Sequence, residues 1–146
     1  NAFHWFCTEK ALQEFTRILK PKGGLGLIWN LDGVFTSSWG KTIDSWLDEI
    51  EGDTPQYKTG IWKNVLQNSK IFSDLNEETF SASRITTAEE VVHRVMSISF
   101  VAALPENERI AFQQKIKNHL ATHPDCRNQT QLKVSFDTKI YWCWRK

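Results

Sequence analysis

The order of apolar and polar residues near the start of the chain predicts a helix between two strands. Asn1 to Phe6 is apolar enough to be the exit of a strand, and Thr8 is placed to cap a following helix. Pro21 cannot continue that helix, and the glycines after it permit a tight turn into Leu25–Trp29. Because this segment does not alternate, we expect a central parallel strand buried on both faces. The helix is predicted from the spacing of its apolar residues, which are Ala11, Leu12, Phe15, Ile18 and Leu19.

The pattern further along the chain predicts four more helices and two more strands. Thr87 and Glu90 have the spacing of a capping box, and Pro105 suits the first turn of the next helix. The last strand alternates with one parity, from Leu132 to Trp144, so we expect a single core face. We expect helices within 39–50, 61–66, 91–100 and 105–120, and strands within 77–85 and 132–144.

The candidate functional residues lie where two predicted neighbouring strands end. His4 and Trp5 follow the first, and Trp29 and Asn30 close the second, before the predicted loop Leu31–Val34. Ligands of open parallel sheets bind at this edge. Two strand ends that each deliver a tryptophan and a polar group therefore predict a ligand pocket there.

His4 has two readings that the sequence leaves open. Either its ring packs among the neighbouring aromatic residues and hydrogen-bonds the backbone, or it lines the pocket as a donor or acid–base group. The other histidines lie on or beside predicted helices, where solvated or capping roles are expected. We predict no metal site, because no two histidines share a helix face with a carboxylate.

Composition narrows the class of protein. The 146 residues carry 18 Lys+Arg and 17 Asp+Glu, a net charge of +1, so no large basic field for nucleic acid is indicated. Uncharged runs such as Gly23–Leu31 are too short to cross a bilayer. Three cysteines without metal-ligand spacing favour a reduced, cytoplasmic protein. Seven tryptophans suggest an aromatic pocket or interface.

The chain begins at Asn1 and its one methionine is Met96, so we expect it to be part of a longer protein.

Several segments together resemble class I S-adenosylmethionine-dependent methyltransferases. The resemblance is to the carboxyl-terminal half of the small-molecule type 11 group, which includes trans-aconitate-like and ubiquinone-biosynthesis-like enzymes. The segments that carry it cover nearly the whole chain: 2–6 (AFHWF), 19–25 (LKPKGGL), 27–30 (LIWN), 54–62 (TPQYKTGIW) and 97–105 (SISFVAALP).

The resemblance implies an α/β fold, namely the last part of a Rossmann-like sheet. Residues 1–146 would form the carboxyl-terminal portion of one methyltransferase domain, with parallel strands, a terminal antiparallel strand and helices on both faces. The fourth strand would end near Phe6, Leu25–Trp29 would be the fifth strand, and the segments within 77–85 and 132–144 would be the sixth and seventh. The helices between Trp39 and Leu66 would cap the substrate.

The resemblance also implies a cofactor and roles at matched positions. S-adenosylmethionine would donate a methyl group to a small-molecule acceptor. Ala2, Phe3 and His4 would lie near the cofactor, with His4 as the candidate catalytic residue. Trp5, Trp29 and Asn30 would face the acceptor. Such transfer depends mainly on alignment and exclusion of water.

Four departures from the pattern are visible. Cys7 stands where many relatives have a capping Asp, and Lys22 stands where the turn usually has its first glycine. The glycine-rich cofactor loop and the acidic residue for the ribose are absent from these 146 residues.

Two alternatives to an enzyme therefore remain. One is a truncated, non-catalytic binding or dimerisation module, whose exposed sheet edge pairs with a second copy or a partner chain. The other is an unrelated α/β binding domain.

Overall fold

The computed structural model describes residues 2–32 and 36–146 of the chain, with the side chain of Asp32 left aside. It is a mixed α/β structure with one three-stranded sheet. The strands are β1 (Gly24–Asp32), β2 (Asn76–Thr86) and β3 (Leu132–Trp144). The helices are α1 (Phe3–Phe6), α2 (Glu9–Ile18), α3 (Ser38–Glu51), α4 (Ile61–Asn68), α5 (Ala88–Met96), α6 (Ser99–Ala102) and α7 (Glu106–Thr122), with a 3₁₀ helix at Tyr57–Thr59.

Two of the predicted helix starts are confirmed by their hydrogen bonds. The Thr8 side chain accepts from the Ala11 N–H at 3.3 Å, so it caps α2 as the sequence predicts. Thr87 and Glu90 form the predicted capping box of α5. Pro105 is the residue before α7 rather than part of its first turn. The helix expected within 91–100 is divided into α5 and α6.

The prediction of a strand exit at Asn1–Phe6 is wrong for the described part of that segment. Phe3–Phe6 is a single helical turn, and the Trp5 N–H donates to the Ala2 carbonyl at 2.9 Å. Short apolar runs fit a strand and a buried helical turn equally well, so periodicity does not separate them. The ring of Phe3 anchors this turn in the core, where it is 4% exposed.

Strand β1 is confirmed, but its burial on both faces is not. Leu25, Leu27 and Trp29 point to the core, whereas Ile28 on the other face is 52% exposed. Glycines occupy the other outward positions at the start of the strand, and their lack of side chains hides the alternation in the sequence. Of the predicted ligand-edge loop Leu31–Val34, the first two residues belong to β1 and the last two lie outside the described residues.

The sheet has the order β1-β3-β2, so the expectation of adjacent parallel strands is wrong for this sheet. Strand β3 runs antiparallel to β1, because Arg145 N–H donates to Gly23 O at 2.8 Å and Thr138 bonds Asn30 further along. It also runs antiparallel to β2. The bridge between Phe72, just before β2, and Arg145, just after β3, is antiparallel as well. The antiparallel partner separates β1 from β2, and these two strands point in the same direction.

The prediction of one core face along β3 is also wrong. Leu132 and Val134 are buried, but further along Tyr141 and Cys143 are buried, and Trp144 is 52% exposed. The parity of buried positions changes between the two ends because β3 fills two cores in succession. A period-2 pattern identifies a strand but assumes a single core.

The chain forms two units, each with its own hydrophobic core. The first unit comprises Asn1–Leu31, Pro55–Phe80 and Asp137–Lys146. Helices α2 and α4 both pack on the Trp29 face of its sheet, so the expected helices on both faces are not found among the described residues of this unit. The second unit comprises Asp32–Thr54 and Ser81–Phe136, and its core joins α3, α5, α6 and α7 to the start of β3.

The turn from α2 to β1 explains a departure from the expected glycines. Lys22 has φ of 62°, a left-handed conformation that favours glycine. At Gly24 an added Cβ would meet the Trp144 ring at 2.9 Å, so a side chain there would displace the ring. Arg145 supports the same turn, since its guanidinium donates to the carbonyl of Leu19 at the end of α2.

The change of parity in β3 predicts which positions tolerate a hydroxyl group. Cys143→Ser places a hydroxyl at a position 1% exposed and should lower the free energy of unfolding by about 1–3 kcal/mol. Lys133→Ser, on an exposed position of the same strand, should change it by less than about 0.5 kcal/mol. Urea unfolding of both variants checks the assignment, and an equal small effect would contradict it.

Candidate functional site

The structure brings together two of the predicted site residues, His4 and Trp29. Helix α1 carries His4 and strand β1 carries Trp29. The indole Nε1–H of Trp29 donates to Nδ1 of His4 at 3.2 Å, and the two ring centroids lie 6.4 Å apart. The predicted meeting of these two segments is therefore found, although the first is a helical turn rather than a strand end.

This hydrogen bond fixes the protonation state of His4. An indole nitrogen only donates, so Nδ1 of His4 must accept and the proton of the neutral ring lies on Nε2. Burial lowers the pKa of His4 below its ordinary value of 6.5, which favours this neutral form. His4 thus has an N–H donor at Nε2 and no acceptor there.

Trp29 belongs to a cluster of aromatic rings beneath His4. We call Phe3, Trp29, Tyr57, Trp62 and Tyr141 the aromatic cluster. Trp29 stacks on Trp62 with a centroid distance of 4.4 Å and lies 5.1 Å from Tyr57. Its side chain is 3% exposed, so the ring is part of the core and its N–H is committed to His4.

The other predicted site residues lie in different surroundings. Ala2 is exposed and Trp5 is 49% exposed beside the ring of His4, whereas Phe3 is buried among aromatic rings. Asn30 lies on the exposed face of β1, and its Oδ1 accepts from the Thr138 hydroxyl at 2.9 Å. Trp29 and Asn30 therefore face opposite sides of the strand. Their roles toward a cofactor or acceptor stay predictions.

A polar network borders the aromatic cluster and was missed by the sequence reasoning. Tyr141 donates to Glu77 Oε1 at 3.0 Å, and the hydroxyls of Tyr57 and Tyr141 lie 2.5 Å apart. Because the one proton of Tyr141 goes to the carboxylate, Tyr57 must be the donor to Tyr141. The only sequence signal was indirect: Tyr57 lies in one of the segments that carry the family resemblance.

Two lysines complete this network around Glu77. Lys63 and Lys139 donate to its two carboxylate oxygens at 2.8 and 2.9 Å. These hydrogen bonds, led by that of Lys63, lower the pKa of Glu77 from 4.5 to about 2. The Lys63 ammonium also lies 4.5 Å from the centroid of the Tyr141 ring. The network joins α4, β2 and β3 at the border of the cluster.

The described residues form neither a metal centre nor a membrane-spanning helix. No group of three or more His, Cys, Asp or Glu side chains there is arranged to hold a metal ion. No helix in the described ranges combines the length and apolar character needed to span a membrane.

Comparison with known proteins relates this chain to methyltransferases. It is 32% identical over 141 residues to an uncharacterized methyltransferase-like protein of Schizosaccharomyces pombe, covering 97% of the chain and 54% of the relative. It is 27% identical over 148 residues to an uncharacterized methyltransferase of the same yeast, covering 97% of the chain and 55% of that protein. An uncharacterized methyltransferase of Mycobacterium bovis is 23% identical over 138 residues, or 94% of the chain and 53% of that protein.

The similarity supports a methyltransferase in general terms. The chain spans about half the length of the curated relatives it matches. No protein-family model matches the sequence.

The His4–Trp29 hydrogen bond predicts a loss of stability in acid. The pKa of His4 is lower in the folded than in the unfolded chain. The contribution of His4 to the free energy of unfolding is therefore complete above pH 6.5 and declines as the pH falls below that value. Asn keeps an acceptor for the indole without titrating. The free energy of unfolding should therefore fall less in His4→Asn than in the wild type between about pH 7 and pH 5. Urea titrations followed by tryptophan fluorescence measure this, and parallel pH profiles would contradict it.

The Glu77 network predicts a second, more acidic transition. A carboxyl group with a lowered pKa stabilises the fold above its unfolded value of 4.5 and loses that effect as the pH falls toward about 2. Glu77→Gln should therefore unfold with less pH dependence in this range than the wild type. Glu78→Gln makes the same charge change on the neighbouring residue of β2. Circular dichroism during acid titration compares the three proteins, and identical curves would be evidence against the network.

Proposed function

We propose that this chain supplies the acceptor-side part of an S-adenosylmethionine-dependent methyltransferase that acts on a small molecule. The observation that carries the proposal is the similarity to methyltransferase-like relatives over 97% of the chain. The hydrogen bond from Trp29 holds the ring of His4, and the exposed ring of Trp5 lies 5.9 Å from it, so a polar group stands beside an exposed aromatic side chain, as in a small-molecule site.

The finer assignment, to the class I type 11 group, is supported by the direction of the strands. Both β1 and β2 are antiparallel to β3, so they share one direction, as the fifth and sixth strands would. The last strand of the chain is the antiparallel one, in agreement with the resemblance. The exposed Ile28 face and the open side of β1 are where the rest of a larger sheet and its helices would add.

The residues proposed to lie near the cofactor fit it only in part. Ala2 is exposed and His4 has its Nε2–H, but the Phe3 ring is buried and offers the cofactor no surface. S-adenosylmethionine, when bound, supplies an electrophilic methyl group on a sulfonium. The exposed face of Trp5 suits such a positive charge, because aromatic faces attract cations. Within this chain, Ala2, His4 and Trp5 are therefore the proposed cofactor-facing residues.

The geometry favours His4 as a donor rather than a base. Its Nδ1 is occupied by the Trp29 indole and its Nε2 carries the proton, so the neutral ring offers no lone pair to an incoming proton. The Nε2–H can instead hold an oxygen of the acceptor and orient it for attack on the methyl group. Proton loss from the acceptor would then go to solvent or to another group.

Asn30 is the other residue that the resemblance assigns to the acceptor, and its amide lies on the face of β1 opposite to Trp29. The Thr138 hydroxyl holds its Oδ1, which sets the orientation of the amide on the exposed face of β1. Trp29 acts through His4 as a positioning residue, because its buried ring holds the imidazole in one tautomer. This differs from the direct acceptor contact that the resemblance implies for Trp29.

Substitutions at His4 and Trp5 test the proposed site. In a version extended at its amino end to the length of the relatives, S-adenosylmethionine should bind with a stoichiometry of about one in calorimetry. His4→Ala and Trp5→Ala should lower methyl transfer by about tenfold or more, because alignment is lost. Phe6→Ala, a similarly exposed neighbour, is the matched control and should have little effect.

Two results would contradict the proposal. Undiminished methyl transfer in both alanine variants would remove His4 and Trp5 from the site. Saturable binding of S-adenosylmethionine by the 146-residue chain alone would show that the glycine-rich loop absent from it is not required.

A non-catalytic binding or dimerisation module is the second candidate function. The observation that favours it is the exposed apolar surface at Ile28 and Trp144, next to the edge strand β1. If the extended version binds no cofactor and sedimentation shows a concentration-dependent dimer that Ile28→Lys disrupts, the module is favoured over the enzyme.

A further inference from the structure

A cavity of about 510 Å³ lies between α5, α7 and the loop after α7 in the second unit. Its floor is formed by Val92, Leu120 and Cys126, which are 2%, 3% and 5% exposed. This volume is in the range of small-molecule sites, about 300–1,000 Å³, and an apolar lining is typical of them. The cavity uses no residue of the predicted His4 site, which belongs to the first unit.

The charged side chains around this cavity are mainly cationic. Lys117 of α7 and Arg127 of the following loop line it, against a single carboxylate from Glu89 of α5. Among the side chains that the structure describes, neither cation forms an ion pair. Two cations without carboxylate partners beside an apolar floor match a ligand with an anionic group and an apolar body.

The loop that carries Arg127 is held in place by its own backbone. The N–H groups of Cys126 and Arg127 donate to the His123 carbonyl at 3.0 and 2.8 Å. Gln129 N–H then donates to the Cys126 carbonyl at 3.0 Å, across Asn128 with its left-handed φ of 67°. The wall that contains Arg127 is thus formed before any ligand arrives, which lowers the entropic cost of binding.

We propose that this cavity binds a small molecule that combines an apolar chain with a carboxylate or phosphate group. The apolar chain lies on Val92, Leu120 and Cys126, and the anionic group meets Lys117 and Arg127. Binding here is independent of methyl transfer, because it needs neither the cofactor nor the His4 site. Its failure would therefore leave the proposed activity untouched.

Calorimetry with three eight-carbon probes tests the proposal on the 146-residue chain. Octanoate or octyl phosphate should bind saturably below about 1 mM, and the two probes distinguish a carboxylate ligand from a phosphate one. Octanol, which has the same chain without charge, should bind at least about tenfold more weakly. Equal binding of octanol, or no saturable binding of either anion up to about 5 mM, would overturn the proposal.

Variants of the lining locate the site. Lys117→Gln with Arg127→Gln should weaken binding of the anion about tenfold or more. Lys133→Gln with Arg109→Gln removes the same charge from exposed positions outside the cavity and should leave the affinity unchanged. Equal weakening in both pairs would overturn the proposal, since it would show a general effect of net charge.

A filled cavity gives a test that does not depend on charge. Ala121→Trp adds an indole to the lining from α7, so it should abolish binding of the anionic probes while near-ultraviolet circular dichroism shows a folded protein. Unchanged binding by folded Ala121→Trp would place the ligand elsewhere and contradict the assignment. The octanol comparison on the wild type decides the same question if this variant fails to fold.

Discussion

The indole of Trp62 is 1% exposed, and the first unit is assembled around it. It stacks on Trp29 and meets Tyr141 edge-on at 4.9 Å, so it joins both strands of this core to α4. Its Nε1–H donates to the Tyr57 carbonyl at 3.2 Å, and its own carbonyl accepts from the Cys7 thiol at 3.3 Å. A large side chain that is buried with its polar atom satisfied fixes the positions of all its neighbours. The candidate site depends on this constraint.

Polar atoms at the border of the core fix the orientation of side chains at the surface. On one side, the buried Trp29 ring projects only its N–H, and that group sets the tautomer of His4. On the other side, the Tyr141 hydroxyl accepts a hydrogen bond from Tyr57 and donates one to Glu77. His4 and Glu77 are both titratable side chains, and each is held by a ring that cannot move without disrupting the core. Rigid support of this kind is what positions a group for chemistry or for recognition.

Local features of the fold were readable in the sequence, and features that depend on distant pairing were not. The caps at Thr8 and Thr87 follow from residues three positions away, so they were predicted correctly. The contact between Lys139 and Glu77 joins residues 62 positions apart and depends on the register of β2 against β3.

The errors in β1 and β3 have a common physical origin. Alternation reports the faces of a strand only if each outward position carries a side chain and one core lies beneath the whole strand. Glycines violate the first condition in β1, and the succession of two cores violates the second in β3. At the candidate site, the meeting of His4 and Trp29 was predictable, but the burial of the Trp29 ring was not, because Trp62 comes from a distant segment.

The place of β3 in the middle of the sheet has a consequence for how the protein folds during synthesis. Asn30 and its partner Thr138 are 108 positions apart, so most of the chain must leave the ribosome before β1 finds its neighbour. Helices α2 to α7 can form earlier from local contacts. Both cores, however, stay incomplete until β3 is available, because β3 supplies buried residues to each of them. Closing such long loops is slow, and the exposed edge of β1 is vulnerable to wrong pairing in the meantime. A nascent chain of this protein is therefore expected to need protection by chaperones until its last strand has emerged.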